Sequence, residues 1–206
     1  MGWKWSDEKH AHVMGQDDFK GYKKGVLNDK ALIEFFIPIL QQADLVTGHN
    51  SDQFDIKVFN TRLLYHGFPK VPIHKSFDTK KISKGNFHLP SNKLDDIAHF
   101  LGIKGKLSHT GKDMWLGCES GKDRDWRLMK RYCKQDVYVE DEVAKKLVPF
   151  MRPSNDFLNG ADCANPLCAS SNTKKAKLRK VKNGFRRQYQ CNDCGLYWSD
   201  PTLIKE

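Results

Sequence analysis

The chain has 206 residues, 39% hydrophobic and 11% aromatic, enough for one full domain plus a small module, and wholesale disorder is excluded. No apolar run approaches the ~18 residues of a membrane span, and the opening "MGWKWSDEKH" lacks a signal-peptide core, so a cytoplasmic protein without membrane contact is expected. A net charge of +10, from 35 Lys/Arg against 25 Asp/Glu, points to a polyanionic partner, nucleic acid foremost.

Taken in chain order, residues 3–14 alternate loosely around a polar "SDEK" and predict two short strands in a hairpin. "NDKALIEFFIPILQQAD" predicts a helix capped by Asp29, with Leu32, Phe35, Phe36, Ile39 and Leu40 on one face and Pro38 as a kink or boundary. Residues 44–49 predict a short buried strand, and "FDIKVFNTRLLYHG" a helix ending at Gly67. The following segment is loop-like, with a short element around Phe77–Ile82. "LPSNKLDDIAHFLGI" is amphipathic through Leu94, Ile97, Ala98 and Leu101, "KGKLSHTGKDMWLGCESGK" is Gly-rich and irregular, and "DRDWRLMKRYCKQDVYVEDEVAKKLVPFM" is the longest helical run. Strands early and helices later indicate an α/β or α+β architecture. The divisions expected are a domain over 1–150, a linker over 151–160 and a small module over 161–206.

The module carries Cys163-x4-Cys168 and Cys191-x2-Cys194. Two short cysteine pairs in a chain without a secretion signal predict one structural Zn²⁺ held by four thiolates, and a module this small needs the metal's folding energy. Between the pairs, residues 174–187 hold eight Lys/Arg and no acid. Lys174, Lys175, Lys177, Arg179, Lys180, Lys182, Arg186 and Arg187 are therefore expected to contact nucleic acid. Phe185, Tyr189, Tyr197 and Trp198 read as core around the metal rather than as a stacking platform. The module resembles the zinc-ribbon class.

In the larger domain, Tyr132 and Asp136 stand four residues apart in a predicted helix and share a face. Asp55 opens another helix after a strand. Viewed alone, Asp55 is equally a helix cap or dipole partner, and Asp136 equally a solvated surface residue. Together they suit divalent-metal phosphoryl chemistry, which needs carboxylates converging from different elements.

"HNSDQFD" resembles the second motif, and "YCKQD" the Tyr-x-x-x-Asp third motif, of the DnaQ-like 3′–5′ exonucleases of the DEDDy subclass, in the ribonuclease H-like superfamily. "FHLPSNKLDDIAHFLGI" resembles the segment between those motifs. The order of motifs and the zinc-ribbon tail resemble a group of predicted exonucleases often encoded by phages, which would place the protein in the host cytoplasm. The resemblance implies a ribonuclease H-like mixed sheet flanked by helices, with Asp55 and Asp136 as carboxylates for two Mg²⁺ or Mn²⁺ ions. It implies Tyr132 as the group that positions water, and Asn50 and Phe54 beside the terminal nucleotide. The implied activity is trimming of a 3′ end, DNA rather than RNA. His49, His109, Asp78 and Asp95 read as structural.

The family's first motif, Asp-x-Glu on the first strand, has no counterpart here. Residues 1–28 contain only Asp7, Glu8, Asp17 and Asp18, none at that spacing, and "MGWKW" resembles the second strand of the fold. Asp141 and Glu142 lie within the last helix and cannot replace a strand-borne pair. Three explanations stand open: a start upstream of Met1, a partner chain that supplies the strand, or a remnant that binds nucleic acid without cutting. The alternative functions are a non-catalytic nucleic-acid-binding protein and a zinc-ribbon protein that docks a polymerase or another replisome component.

Overall fold

The apolar stripes of two helices set the larger core. Helix α1 (Lys30–Gln42) and helix α2 (Asp55–His66) contribute Leu32, Ile33, Phe36, Phe59 and Leu63, and Val71 closes the cluster. Burial at i, i+1 and i+4 turns the face of α1 toward Ile33, while Phe35 comes to the rim at 36% exposure. Phe35 still meets Trp3, Phe19 and Phe36 edge-on at ring-centre distances of 5.7–5.9 Å. Pro38 lies inside α1 without ending it. Helix α2 stops at Gly67, whose φ of +71° is the left-handed conformation that glycine adopts without penalty.

The structure is a computed structural model and describes residues 1–26, 28–73, 75–104, 111–151, 161–165 and 167–205. The chain divides into two compact units, one of residues 1–81 and 89–143, the other of residues 82–88 and 144–206. The linker expected at 151–160 lies, but for Met151, outside the described residues. Among the described residues, no helix is long and apolar enough to cross a membrane.

In the first unit, the expected mixed sheet is present as two small pieces. β1 (Gly2–Trp3) pairs antiparallel with β2 (His12–Val13), and β3 (Val46–Gly48) pairs parallel with β4 (Ser76–Asp78). Strands of two or three residues make few ladder bonds, and among the described residues no ladder joins the two pieces. Helix α3 (Thr79–Asn86) starts directly after β4, and helix α4 (Leu94–Phe100) buries Leu94, Ile97 and Ala98.

The stretch expected to be irregular contains helix α5 (Lys112–Glu119). Gly111 before it and Gly117 within it mask a buried i, i+4 pair, Met114 and Cys118. Gly117 is there for room, since a Cβ would run into the Asp125 carboxylate. Helix α6 (Asp123–Leu147) spans 25 residues, and Met129, Trp126, Leu128, Tyr132 and Cys133 pack on the Met114–Cys118 pair. The β1–β2 hairpin lies along α6. Ala11 N–H donates to the Tyr138 hydroxyl at 3.1 Å, and Lys4 pairs with Asp141 at 3.0 Å.

The second unit holds a three-stranded antiparallel sheet of β5 (Thr173–Val181), β6 (Gly184–Cys191) and β7 (Tyr197–Ser199). A bulge in β5 between Lys175 and Leu178 shifts its register on β6.

Asp29 takes the position before α1 but makes no capping bond; the Asn28 side chain accepts from Lys30 N–H instead. The Asp29 carboxylate is taken up by Arg62, at 2.6 and 2.7 Å, and by His66 at 2.7 Å. These bonds tie the start of α1 to the end of α2. Partial burial raises the carboxyl's pKa, but the Arg62 and His66 hydrogen bonds outweigh it and the net shift is downward. Asp29→Ala is expected to cost roughly 2 kcal/mol in urea unfolding at pH 7, because Arg62 and His66 lose their shared partner. With the folded pKa depressed, this contribution is present above the unfolded value near 4 and is lost as pH falls. The deficit should therefore shrink toward pH 3.

Candidate functional site

The first expected motif forms a tight loop between β3 and α2. Asn50 sits at φ +67°, a left-handed conformation that asparagine tolerates, and its carbonyl accepts from Gln53 and Phe54 N–H at 3.2 and 3.0 Å. The loop is held by Asp78, at the end of β4. Asp78 Oδ1 accepts from Asn50, Lys80 and Lys81 N–H at 3.0, 3.0 and 3.2 Å, and Oδ2 from Asp52 N–H at 3.2 Å. One buried carboxylate thus caps α3 and pins the loop. The structural reading of Asp78 follows directly from these four bonds. Asp52 is itself held by Ser76 and Lys81.

Asp55 is the first residue of α2 and makes no cap; the preceding Phe54 holds the N-cap position and is 62% exposed. Partial desolvation raises the Asp55 pKa above the ordinary carboxylate range, and the nearby Asp78 adds repulsion. On α6, Tyr132 and Asp136 are both half-buried, one turn apart, with the Tyr132 ring packed on the Met114–Cys118–Met129 cluster. His109 lies outside the described residues.

Sequence reasoning missed Glu140, one further turn along the same face of α6. Its carboxylate oxygens lie 2.9 and 3.0 Å from the Thr79 hydroxyl, and that hydroxyl lies 3.0 Å from His49 Nδ1. His49 Nε2 lies 3.0 Å from the Asn92 carbonyl oxygen. A carbonyl only accepts, so the ring carries a proton on Nε2. The single Thr79 proton cannot serve both His49 and Glu140. Burial pushes Glu140 up to about 8; the Thr79 bond opposes the shift, and Asp78, Asp141 and Asp55 add to it. A proton on Glu140, in keeping with its raised pKa, or a second ring proton on Nδ1 resolves the competition; Nε2–H donates to the Asn92 carbonyl in either case. The spacing Tyr132, Asp136, Glu140 at i, i+4, i+8 was the available signal.

These acids do not make a metal cage. Among the described residues, only Cys163, Cys168, Cys191 and Cys194 bring three or more metal-ligating atoms within 4.8 Å of one another. Among the described residues, neither Asp55 nor Asp136 belongs to such a group. Asp141 is paired with Lys4 at 3.0 Å.

In the second unit, Sγ of Cys163 lies 3.5 Å from Cys194, and Sγ of Cys168 lies 3.8 Å from Cys191. Tetrahedral Zn²⁺ with bonds near 2.3 Å needs sulfurs about 3.8 Å apart. The four sulfurs could hold such an ion. Backbone amides of Asn165, Ser170, Asp193 and Cys194 hydrogen-bond to the sulfurs, the outer shell a thiolate site requires. Tyr189 stacks on the buried Trp198 at 5.6 Å, as a core pair, while Tyr197 is 54% exposed.

The cross-strand pairs divide the basic hairpin between both faces of the ribbon. Lys175 pairs with Tyr189, Leu178 with Arg187 and Lys180 with Phe185 on one face; Lys174 pairs with Gln190 and Arg179 with Arg186 on the other. Apart from the ends of β5, these residues are exposed along that strand. Lys177 lies in the bulge and Lys182 at the turn.

A family model described as the RNase H superfamily matches residues 11–148. No curated protein matches the chain.

Glu140 gives a signed pH prediction. Its folded pKa lies above the unfolded value near 4.5, so between about pH 4.5 and 8 the folded state holds the extra proton and stability falls as pH rises. Glu140→Gln, which mimics the protonated acid, should gain on the order of 2 kcal/mol more over the native chain at pH 8 than at pH 5 in urea melts. An equal difference at both pH values would refute the proton assignment. For the sulfur cluster, elemental analysis should find one zinc per chain, lost in Cys168→Ser. Chelation should unfold the ribbon, seen as loss of Trp198 fluorescence intensity and shift.

Proposed function

Because the chain belongs to the RNase H superfamily, we propose that it is a nuclease-type protein directed at nucleic acid, of the 3′–5′ exonuclease kind and acting on DNA ends. The observation that carries the reading is the family match, which spans both motif-bearing elements, α2 with Asp55 and α6 with Tyr132 and Asp136. In this reading Tyr132 orients water, and Asn50 and the exposed Phe54 meet the terminal nucleotide. The zinc-stabilised ribbon lays its lysines and arginines on phosphates.

Chemistry of this kind uses two divalent ions, which activate water and stabilise the departing 3′ oxygen. The residues of this chain do not fit two ions by themselves. Two carboxylates, one of them desolvated enough to hold its proton more tightly, leave a large uncompensated positive charge. We therefore derive no hydrolytic step for the chain alone. Its residues bind and orient a strand, and further carboxylates would come from residues preceding this sequence or from a second polypeptide. That neither Asp55 nor Asp136 falls in a group of three metal-ligating side chains among the described residues favours, as the second reading, a protein that binds nucleic acid or a replisome component without cutting.

The deciding assay uses 5′-labelled single-stranded DNA with Mn²⁺. The chain alone should bind the oligonucleotide and trim it little. Robust trimming, abolished by Asp136→Ala, would show a complete site and overturn the half-site reading. No binding to DNA or RNA at low salt would sink the nucleic-acid reading altogether.

A further inference from the structure

The N-terminal half of α6 carries a cationic groove that the motif residues do not use. Arg124, Arg127, Leu128, Lys130 and Arg131 line a surface concavity of about 510 Å³. Arg124, Arg127 and Arg131 are spaced i, i+3, i+7 and so form a stripe on one face. All three are exposed. Lys130 is neutralised by Asp17 and Asp18 at 2.7 Å. Among the described residues, none of the three arginines has an acidic partner within ion-pair distance, although Asp123 and Asp125 lie on the same turn; Asp123 is engaged by Lys24.

We propose that this stripe is a phosphate-backbone site for a nucleic-acid strand, in which Arg124, Arg127 and Arg131 grip successive phosphates. The assignment rests on the nucleic-acid reading above and adds a site to it. Each guanidinium presents a planar fork that matches a phosphate bidentately. Unpaired arginines cost little desolvation from existing partners when they bind. From Arg124 to Arg131 the stripe runs seven helical steps, about 10 Å of helix axis, too long for one phosphate group and suited to consecutive groups of a strand. Leu128, half-buried in the same concavity, gives sugar or base an apolar floor. The stripe runs on the same rigid helix as Tyr132 and Asp136, which fixes its distance from them.

The test measures binding of the full chain to fluorescent dT20 and U20 by anisotropy in EDTA, so that no result depends on hydrolysis. The combined variant R124A/R127A/R131A should weaken binding at least tenfold at 100 mM salt. It should also reduce the slope of log K against log salt by about 2, as expected for three lost phosphate contacts on a single strand. Its circular dichroism and melting temperature should match those of the native chain, since the three side chains are exposed. Unchanged affinity and slope in this variant, with binding lost in K174A/K175A/K177A, would place the strand on the ribbon and overturn the stripe while leaving the nucleic-acid reading intact. A native chain that binds neither oligonucleotide would overturn both. Equal loss in R124K/R127K/R131K would support bidentate recognition over simple charge.

Discussion

The four backbone amides gathered by the Asp78 carboxylate hold the candidate site together. Without that carboxylate, the loop 50–52 and the first turn of α3 would each expose unsatisfied N–H groups in a buried place. With it, β4, the first turn of α3 and the loop before α2 are tied to one another. Thr79, the next residue, then lies between His49 on the loop and Glu140 on α6. Two adjacent residues therefore set the relative position of three elements.

Helix α6 serves several partners by presenting different residues to each. One side carries Tyr132, Asp136 and Glu140. Another receives the β1–β2 hairpin through Tyr138 and Asp141. The N-terminal half packs Met129 against α5 and turns its arginines outward. A helix of 25 residues holds these groups at fixed spacing, which a loop could not. The cost is visible at Glu140, where burial pushes an acid up to about 8.

Much of this was legible from the residues. The apolar period of α1, the glycine stop of α2 and the cysteine spacing each report a local constraint, and local constraints survive in sequence. Helix α5 was hidden because Gly117 answers to Asp125, a neighbour only in space. The Asp29 carboxylate looked like a cap but was drawn to Arg62, 33 residues away. Glu140 was overlooked for the same reason, since its meaning comes from Thr79, 61 residues earlier. The family resemblance supplied superfamily membership, which the family match supports over residues 11–148. The roles it implied for Asp55, Tyr132 and Asp136 remain part of the proposed reading.

The β5 bulge has its own consequence for the ribbon. Strict alternation along β5 would put Lys174, Lys180 and Lys182 on one side and Lys175, Lys177 and Arg179 on the other. The extra residue swaps this order midway, so that Lys175 shares a side with Lys180, and Lys174 with Arg179. With or without that shift, cationic side chains lie on both faces of the hairpin; the bulge changes which of them share a side. A rigid polyanion laid flat against the ribbon meets only part of its charge, whereas one that wraps around the hairpin or threads past its edge meets all of it. On the proposed nucleic-acid reading, the shape selected would be a pliable chain rather than a stiff rod.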